Sequence, residues 1–236
     1  MPKKCRGKIR LKNRRFFELS ITEDFARVRR SFQNVRNETY DNVDDLPGIS
    51  FFLIDVDHFK QVNDRFGHPS GDRILRQIGA AITSIVRESD TIIRWGGEEF
   101  LIVARNTRGN DCAILAERIR KQTASIPFII DEKQTLQLTC SIGFSSWPFF
   151  RHDPDTMGWQ EMIDLIDHCL YLAKNSGRNT WIGVSARPDY EGDTRPALLN
   201  SIADAEAEGI ITIQSSMSSN SGVRDYQATF DTIHCV

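Results

Sequence analysis

From Phe16 to about Arg36 the apolar residues Phe17, Ile21, Phe25, Val28, Phe32 and Val35 recur every three or four positions, the spacing that lines one face of an α-helix. An acidic linker, "NETYDNVDDLPG", ends that helix. "ISFFLIDV" follows and has no polar face, so it predicts a short central strand covered on both sides and stopping at Asp55. Asp57 is placed to N-cap a short helix near "HFKQVNDRFG". Ser70 or Asp72 is placed to cap a longer one, whose Ile74, Leu75, Ile78, Ala81, Ile82 and Ile85 form an apolar stripe.

"IIRWGGEEFLIV" then reads as a hairpin, provided that Gly96 and Gly97 make its turn with positive φ. A third helix is expected from Asp111 to Ser125, with Pro127 marking its end. "LQLTCSIGF" alternates, which sets Leu136, Leu138, Cys140, Ile142 and Phe144 on one face of a strand. "WQEMIDLIDHCLYLAKNSG" predicts a fourth helix closing on Gly177, and "TWIGV" a last short strand. From about Ser185 the chain is polar and includes the serine-rich "SSMSSNSG", so a flexible or loosely packed extension is expected there. The order of elements predicts an α+β fold with a largely antiparallel sheet, and the chain divides into an N-terminal segment 1–15, a domain 16–184 and an extension 185–236.

Composition narrows the function. Thirty basic and thirty-two acidic residues nearly cancel, so no global field recruits nucleic acid or anionic lipid, and any anionic ligand must be held by local charges. The five cysteines (5, 112, 140, 169 and 235) are scattered and contain no CxxC pair, which argues against a disulfide framework or zinc cluster and for a reducing, cytoplasmic setting. The basic N-terminus lacks the apolar run of a signal peptide, and "ISFFLI" is too short to span a bilayer, so no membrane contact is expected from this chain.

The candidate chemistry gathers at strand ends. Asp55 closes a buried strand, and a second carboxylate from the neighbouring hairpin, Glu98 or Glu99, would complete the paired oxygen ligands that Mg²⁺ uses alongside substrate phosphates. Taken alone, a Gly-Gly-acidic hairpin is an ordinary solvated turn. The helix starting near His58 offers free backbone N–H groups and a positive dipole end to phosphate, and Lys60 adds charge there.

"RWGGEEF" resembles the signature of the GGDEF family, the bacterial diguanylate cyclases, in its GGEEF form. "LIDVDHFKQVNDRFGHPSGD", "RESD", "AERIR", "TCSIGF" and "AKNSGRN" resemble the family's further motifs in order and spacing, over roughly Lys12 to Val184. The resemblance implies a central, largely antiparallel sheet similar to the polymerase palm and nucleotidyl cyclases, flanked by helices. It implies condensation of two GTP into cyclic di-GMP and two pyrophosphates, each 3′-hydroxyl attacking the α-phosphate held by the other domain of a homodimer. Asp55, Glu98 and the Val56 carbonyl would hold Mg²⁺ (or Mn²⁺), and Glu99 would assist the metal or the attacking hydroxyl. Asn63 and Asp72 match the guanine-reading pair, where an Asp accepts from donors that adenine lacks. His58, Phe59, Lys60, Lys174 and Arg178 match the phosphate contacts. Arg87 and Asp90 of "RESD", with Arg118, match a product-inhibition site suited to a guanine dinucleotide.

One segment departs from the family pattern: Arg6, Ile9 and Arg10 stand where an acidic residue, Thr and Gly are expected, although Leu11, Asn13, Arg14 and Arg15 agree. The resemblance also implies a sensory domain in the parent protein, which could itself be membrane-anchored. A rival from another class is a catalytically silent GGDEF module that binds GTP or cyclic di-GMP as a regulator; intact Asp55, Glu98 and Glu99 speak against it.

Overall fold

The computed structural model describes residues 11–37, 48–107, 109–192 and 201–217, with side chains of the first stretch described to Gln33. Arg6, Ile9, Arg10, the Val35 side chain, most of the acidic linker and the end of the serine-rich stretch lie outside the described residues.

The elements run β1 (Lys12–Asn13), α1 (Arg14–Asn37), β2 (Ile49–Val56), α2 (Phe59–Phe66), α3 (His68–Ile85), β3 (Thr91–Arg94), β4 (Glu99–Arg105), α4 (Asn110–Ser125), β5 (Phe128–Ile129), β6 (Thr135–Leu136), β7 (Cys140–Trp147), α5 (Trp159–Asn175), β8 (Trp181–Ala186), α6 (Ile202–Ala207) and β9 (Ile211–Ser215). Seven strands form one sheet in the order β1-β3-β4-β2-β7-β8-β9, and β5 pairs with β6 apart from it. The pairs β1–β3 and β7–β8 are parallel and the other four pairs are antiparallel. The sheet is thus mixed but mainly antiparallel, and the fold is α+β as the sequence implies.

The central strand explains both layers. In β2 every residue is buried, and the period of two splits it. Ile49, Phe51 and Leu53 join the core with α1 and α5, whereas Phe52, Ile54 and Val56 join the core with α2, α3 and α4. Each such side chain contributes about 1.5–3 kcal/mol by leaving water. The predicted stripe of α1 is observed, with Phe17, Ile21, Phe25, Val28 and Phe32 all buried. Asn13 caps this helix, its Oδ1 accepting from Phe16 N–H at 2.9 Å.

Strand β7 is half as predicted. Leu138, Cys140, Ile142 and Phe144 share one core, but Ser141, Gly143 and Ser145 are buried as well because α5 lies directly on them. At Gly143 a Cβ would stand 2.1 Å from the Ile166 carbonyl oxygen and 2.5 Å from the Leu170 nitrogen, so only glycine admits the helix at this distance. That contact sets the height of α5, and with it Lys174 in its last turn.

Several local expectations are corrected. Asp57 caps nothing; the N-cap of α2 is His58, in left-handed conformation and without a side-chain cap bond. Neither Ser70 nor Asp72 caps α3, which begins at His68 behind Gly67 (φ 78) with Pro69 in its first turn. Gly67 reverses the chain, and proline's fixed φ starts a helix at once. Neither Gly96 nor Gly97 takes positive φ. The strand expected from Leu136 is interrupted, Leu136 pairing in the small β5–β6 hairpin and β7 starting at Cys140. The stretch 201–217, expected to be a loose extension, forms α6 and β9; Ile202, Ala205, Ile210, Ile211 and Ile213 are buried, and β9 pairs with β8 from Ile182↔Ser215 to Ala186↔Ile211. Among the described residues no helix is long and apolar enough to cross a membrane.

Candidate active site

Asp55 and Glu99 are direct partners in the β2–β4 ladder, so both side chains leave the sheet on one face, toward α5. Lys174 reaches down from α5 and its Nζ lies 2.8 Å from Asp55 Oδ2. Burial pushes the Asp55 carboxyl above its usual range; Lys174 opposes this, and the charges of Glu98 and Asp57 reinforce it. Glu99 is raised too, first by burial and then by Asp55, against the pull of Lys174. Both carboxyls are thus held against ionisation first by burial, and the Lys174 ammonium is paired with Asp55.

The turn beside them joins antiparallel β3 and β4. A Cβ on Gly96 would stand 2.7 Å from Glu99 Oε2, the movable end of that side chain, and one on Gly97 would meet nothing within 4 Å. Trp95 N–H donates to the Glu99 carbonyl at 2.9 Å, and Arg94 Nε donates to the Gly96 carbonyl at 3.0 Å with a further bond from Arg94 to the Gly97 carbonyl. Among the described residues no group of three or more His, Cys, Asp and Glu side chains could hold a metal by itself. Paired carboxylates without soft ligands fit a hard cation whose coordination is completed by ligand oxygens, as Mg²⁺ prefers, and do not fit a closed zinc site.

Asp57 plays a part that the sequence reading missed. It is buried, and its carboxylate accepts from Thr139 Oγ1 at 2.6 Å, Ser141 Oγ at 2.7 Å and Asn179 N–H at 3.0 Å. Turned into the sheet this way, it leaves the first amides of α2, at Phe59 and Lys60, without a side-chain cap. The same contact ties the turn that follows α5, and so Arg178, to the end of β2. The clue in the sequence was the pair of hydroxyls flanking Cys140.

Asn63 of α2 lies against Gly71, the residue before Asp72, across the α2–α3 reversal. A Cβ on Gly71 would stand 2.0 Å from Asn63 Oδ1, so this glycine lets the amide lie against the start of α3 beside the exposed Asp72. On the other side of α2, His58, Val62, Arg65, Phe66 and Leu138 line a cleft of about 300 Å³ that reaches Asp57.

Arg87, Asp90 and Arg118 share a separate cleft of about 80 Å³ with Asp111 and Ile114. Asp90 is buried and its Oδ2 accepts from Arg87 N–H at 2.8 Å, while Arg118 extends from α4 to the Ile85 carbonyl at 3.4 Å. This cleft lies beyond the Arg105 end of β4, about 20 Å along the strand from Glu99.

A sheet whose central strands end in facing carboxylates, with one lysine paired to them and a helix of uncapped N-terminus following β2, has the chemistry to take a phosphate-bearing ligand together with a hard cation. The chain belongs to the GGDEF family: the family model described as "Diguanylate cyclase, GGDEF domain" matches residues 9–180. It is 37% identical over 131 residues to diguanylate cyclase A of Treponema denticola, an overlap of 56% of this chain and 34% of that protein. It is 37% identical over 139 residues to the response regulator PleD of Caulobacter vibrioides, 58% of this chain and 30% of that one. The solved structure of the active GGEEF domain of a diguanylate cyclase from Vibrio cholerae shares the fold with a TM-score of 0.54 and 32% identity, over 72% of this chain and 95% of the other. The chain spans less than half the length of such curated relatives, from 27% to 41%.

Proposed function

We propose that this chain is a diguanylate cyclase that condenses two GTP into cyclic di-GMP and two pyrophosphates across a homodimer. The observation that carries the reading is the facing of Asp55 and Glu99 across β2 and β4, with Lys174 paired to Asp55 and α2 starting just after β2 without a side-chain cap. It is supported by membership of the GGDEF family.

Asp55, Glu98, Glu99 and the Val56 carbonyl would hold Mg²⁺ or Mn²⁺, which when bound would offset charge at the attacked phosphate. Asn63 and Asp72 read guanine; Asp72 accepts from N1–H and N2–H₂, a pattern adenine does not present. The amides at His58, Phe59 and Lys60 take the outer phosphates together with Lys174 and Arg178. The Lys174 ammonium, paired with Asp55 at 2.8 Å, stands at the carboxylate end of the site. These residues fix the nucleotide so that the 3′-hydroxyl supplied by the second domain approaches in line, which is where positioning lowers the barrier. Arg87, Asp90 and Arg118 bind the product and inhibit, and a sensory domain in the parent protein brings two copies together.

The test is substrate choice and metal response in the same preparation. GTP should be consumed with Mg²⁺ and not with EDTA, an equal concentration of ATP should not compete, and Glu99→Gln should retain GTP binding without turnover. Equal use of ATP would refute the roles of Asn63 and Asp72.

A further inference from the structure

The turn that carries Arg178 is an improbable piece of backbone. Gly177, Arg178 and Asn179 are three consecutive residues of positive φ, at 101°, 65° and 46°. Glycine adopts this region freely, but a residue with a Cβ loses about 1–2 kcal/mol there. Such a conformation persists only where the surroundings over-determine it.

Four contacts do so. Arg178 N–H donates back to the Ala173 carbonyl at 3.2 Å, the six-to-one bond of a Schellman ending. Asn179 N–H donates to Asp57 Oδ2 at 3.0 Å. From the opposite side Arg120 Nη1 donates to the Asn179 carbonyl at 3.3 Å and to its Oδ1 at 3.0 Å. Asn179 is therefore gripped by its donor and both oxygens, from two elements distant in sequence.

Arg120 is itself locked. Its Nε and Nη2 donate to the two oxygens of Glu117, each at 2.8 Å, a two-pronged pairing one turn back on α4. Glu117 also accepts from Trp181 Nε1 at 2.9 Å, in the strand that the turn feeds. The Arg120 guanidinium beside Glu117 holds that carboxyl down at about 2, so the pair stays charged throughout the physiological range. The side chain of Arg178, by contrast, is exposed and makes none of these bonds, so holding the turn and binding a ligand fall to different residues.

We propose that Arg120 is a positioning residue for nucleotide phosphate: anchored by Glu117, it fixes the left-handed turn through Asn179 and so aims Arg178. This rests on the reading of Arg178 as a phosphate contact. Only arginine suits the position, because three nitrogens of one planar group serve Glu117 and Asn179 at once; a lysine ammonium on a flexible stem cannot replace that geometry.

The experiment uses the full chain and Arg120→Lys, Arg120→Ala, Arg178→Ala and the Arg120→Ala/Arg178→Ala double variant. Two readouts are taken: hydrogen exchange of the 177–179 amides without nucleotide, and the Kd of a non-hydrolysable GTP analogue with Mg²⁺. Arg120→Lys and Arg120→Ala should speed exchange of the Asn179 amide and weaken the analogue by about tenfold, the scale of one misplaced charge-assisted contact. Once Arg178 is alanine, Arg120→Ala should cost little more, because both changes remove the same contact. A merely structural role for Arg120 predicts losses that multiply. Unchanged exchange at 177–179, or independent losses in the double variant, overturns the inference. If Arg178→Ala binds the analogue like the wild type, the phosphate reading of Arg178 falls and the inference with it. The same binding by Arg120→Ala while Arg178→Ala is impaired overturns the inference alone.

Discussion

Gly143→Ala adds a single methyl at the point where α5 touches the sheet. That methyl would stand 2.1 Å from the Ile166 carbonyl oxygen and 2.5 Å from the Leu170 nitrogen, both backbone atoms of the helix rather than movable side-chain ends. To restore an ordinary contact near 3.4 Å the helix must retreat by about 1.3 Å. Overpacking of this kind costs about 1–3 kcal/mol, and the rigid neighbours place it at the upper end. For a domain of this size the melting temperature should fall by about 6–12 °C. Lys174 lies one to two turns further along the same helix, so the retreat also lifts its ammonium from Asp55; misplacement by about 1 Å at a reacting centre can cost about a hundredfold in rate. Circular dichroism melting and GTP turnover of the purified variant check both halves. A melting temperature within about 2 °C of the wild type would refute the packing argument. Loss of stability with full turnover would instead refute the idea that the height of α5 sets the site.

Other outcomes follow from single contacts. Asp55 and Glu99 have folded-state pKa values above the unfolded ones, so the native state holds their protons more tightly and loses stability as pH rises through that window. Without metal, Glu99→Gln should therefore melt higher than the wild type at neutral pH, with the gap closing toward about pH 4, where the unfolded carboxyls also protonate; a gap that widens on acidification would contradict the assignment. Ile213→Ala in β9 should destabilise by about 2–4 kcal/mol in urea denaturation, whereas an undocked extension would show no change. Arg87→Ala should leave initial GTP turnover intact and relieve inhibition by added cyclic di-GMP; unchanged inhibition would remove that role from the Arg87–Asp90 cleft.

The site was legible wherever residue order alone carries geometry. "ISFFLIDV" and "GGEEF" gave Asp55 and Glu99 as strand ends, and antiparallel pairing turned that into the face-to-face register Asp55↔Glu99. What escaped depended on partners distant in sequence. Asp57 has the composition of a helix cap, but Thr139, Ser141 and Asn179 offer it three donors, and a buried carboxylate with three bonds outweighs one cap bond. Gly96 and Gly97 have the composition of a left-handed turn, yet neither takes positive φ. Ser141, Gly143 and Ser145 read as the outward face of a half-buried strand, when their smallness marks the seat of a helix. The strand "ITIQS" alternates as a strand should, but polar sequence on both sides masked it, and only pairing with β8 shows that Ile211 and Ile213 have a core to enter.

The central claim is that facing carboxylates and a phosphate-binding helix end make this chain a cyclase that works as a pair. The most direct measurement incubates the full chain with GTP and Mg²⁺ at rising protein concentrations, with Glu99→Ala as control, and separates the nucleotides by chromatography. The account predicts cyclic di-GMP that rises more steeply than linearly with protein and is absent from the control. GTP bound but unconverted at every concentration would contradict it and would assign the chain to the silent, ligand-binding class.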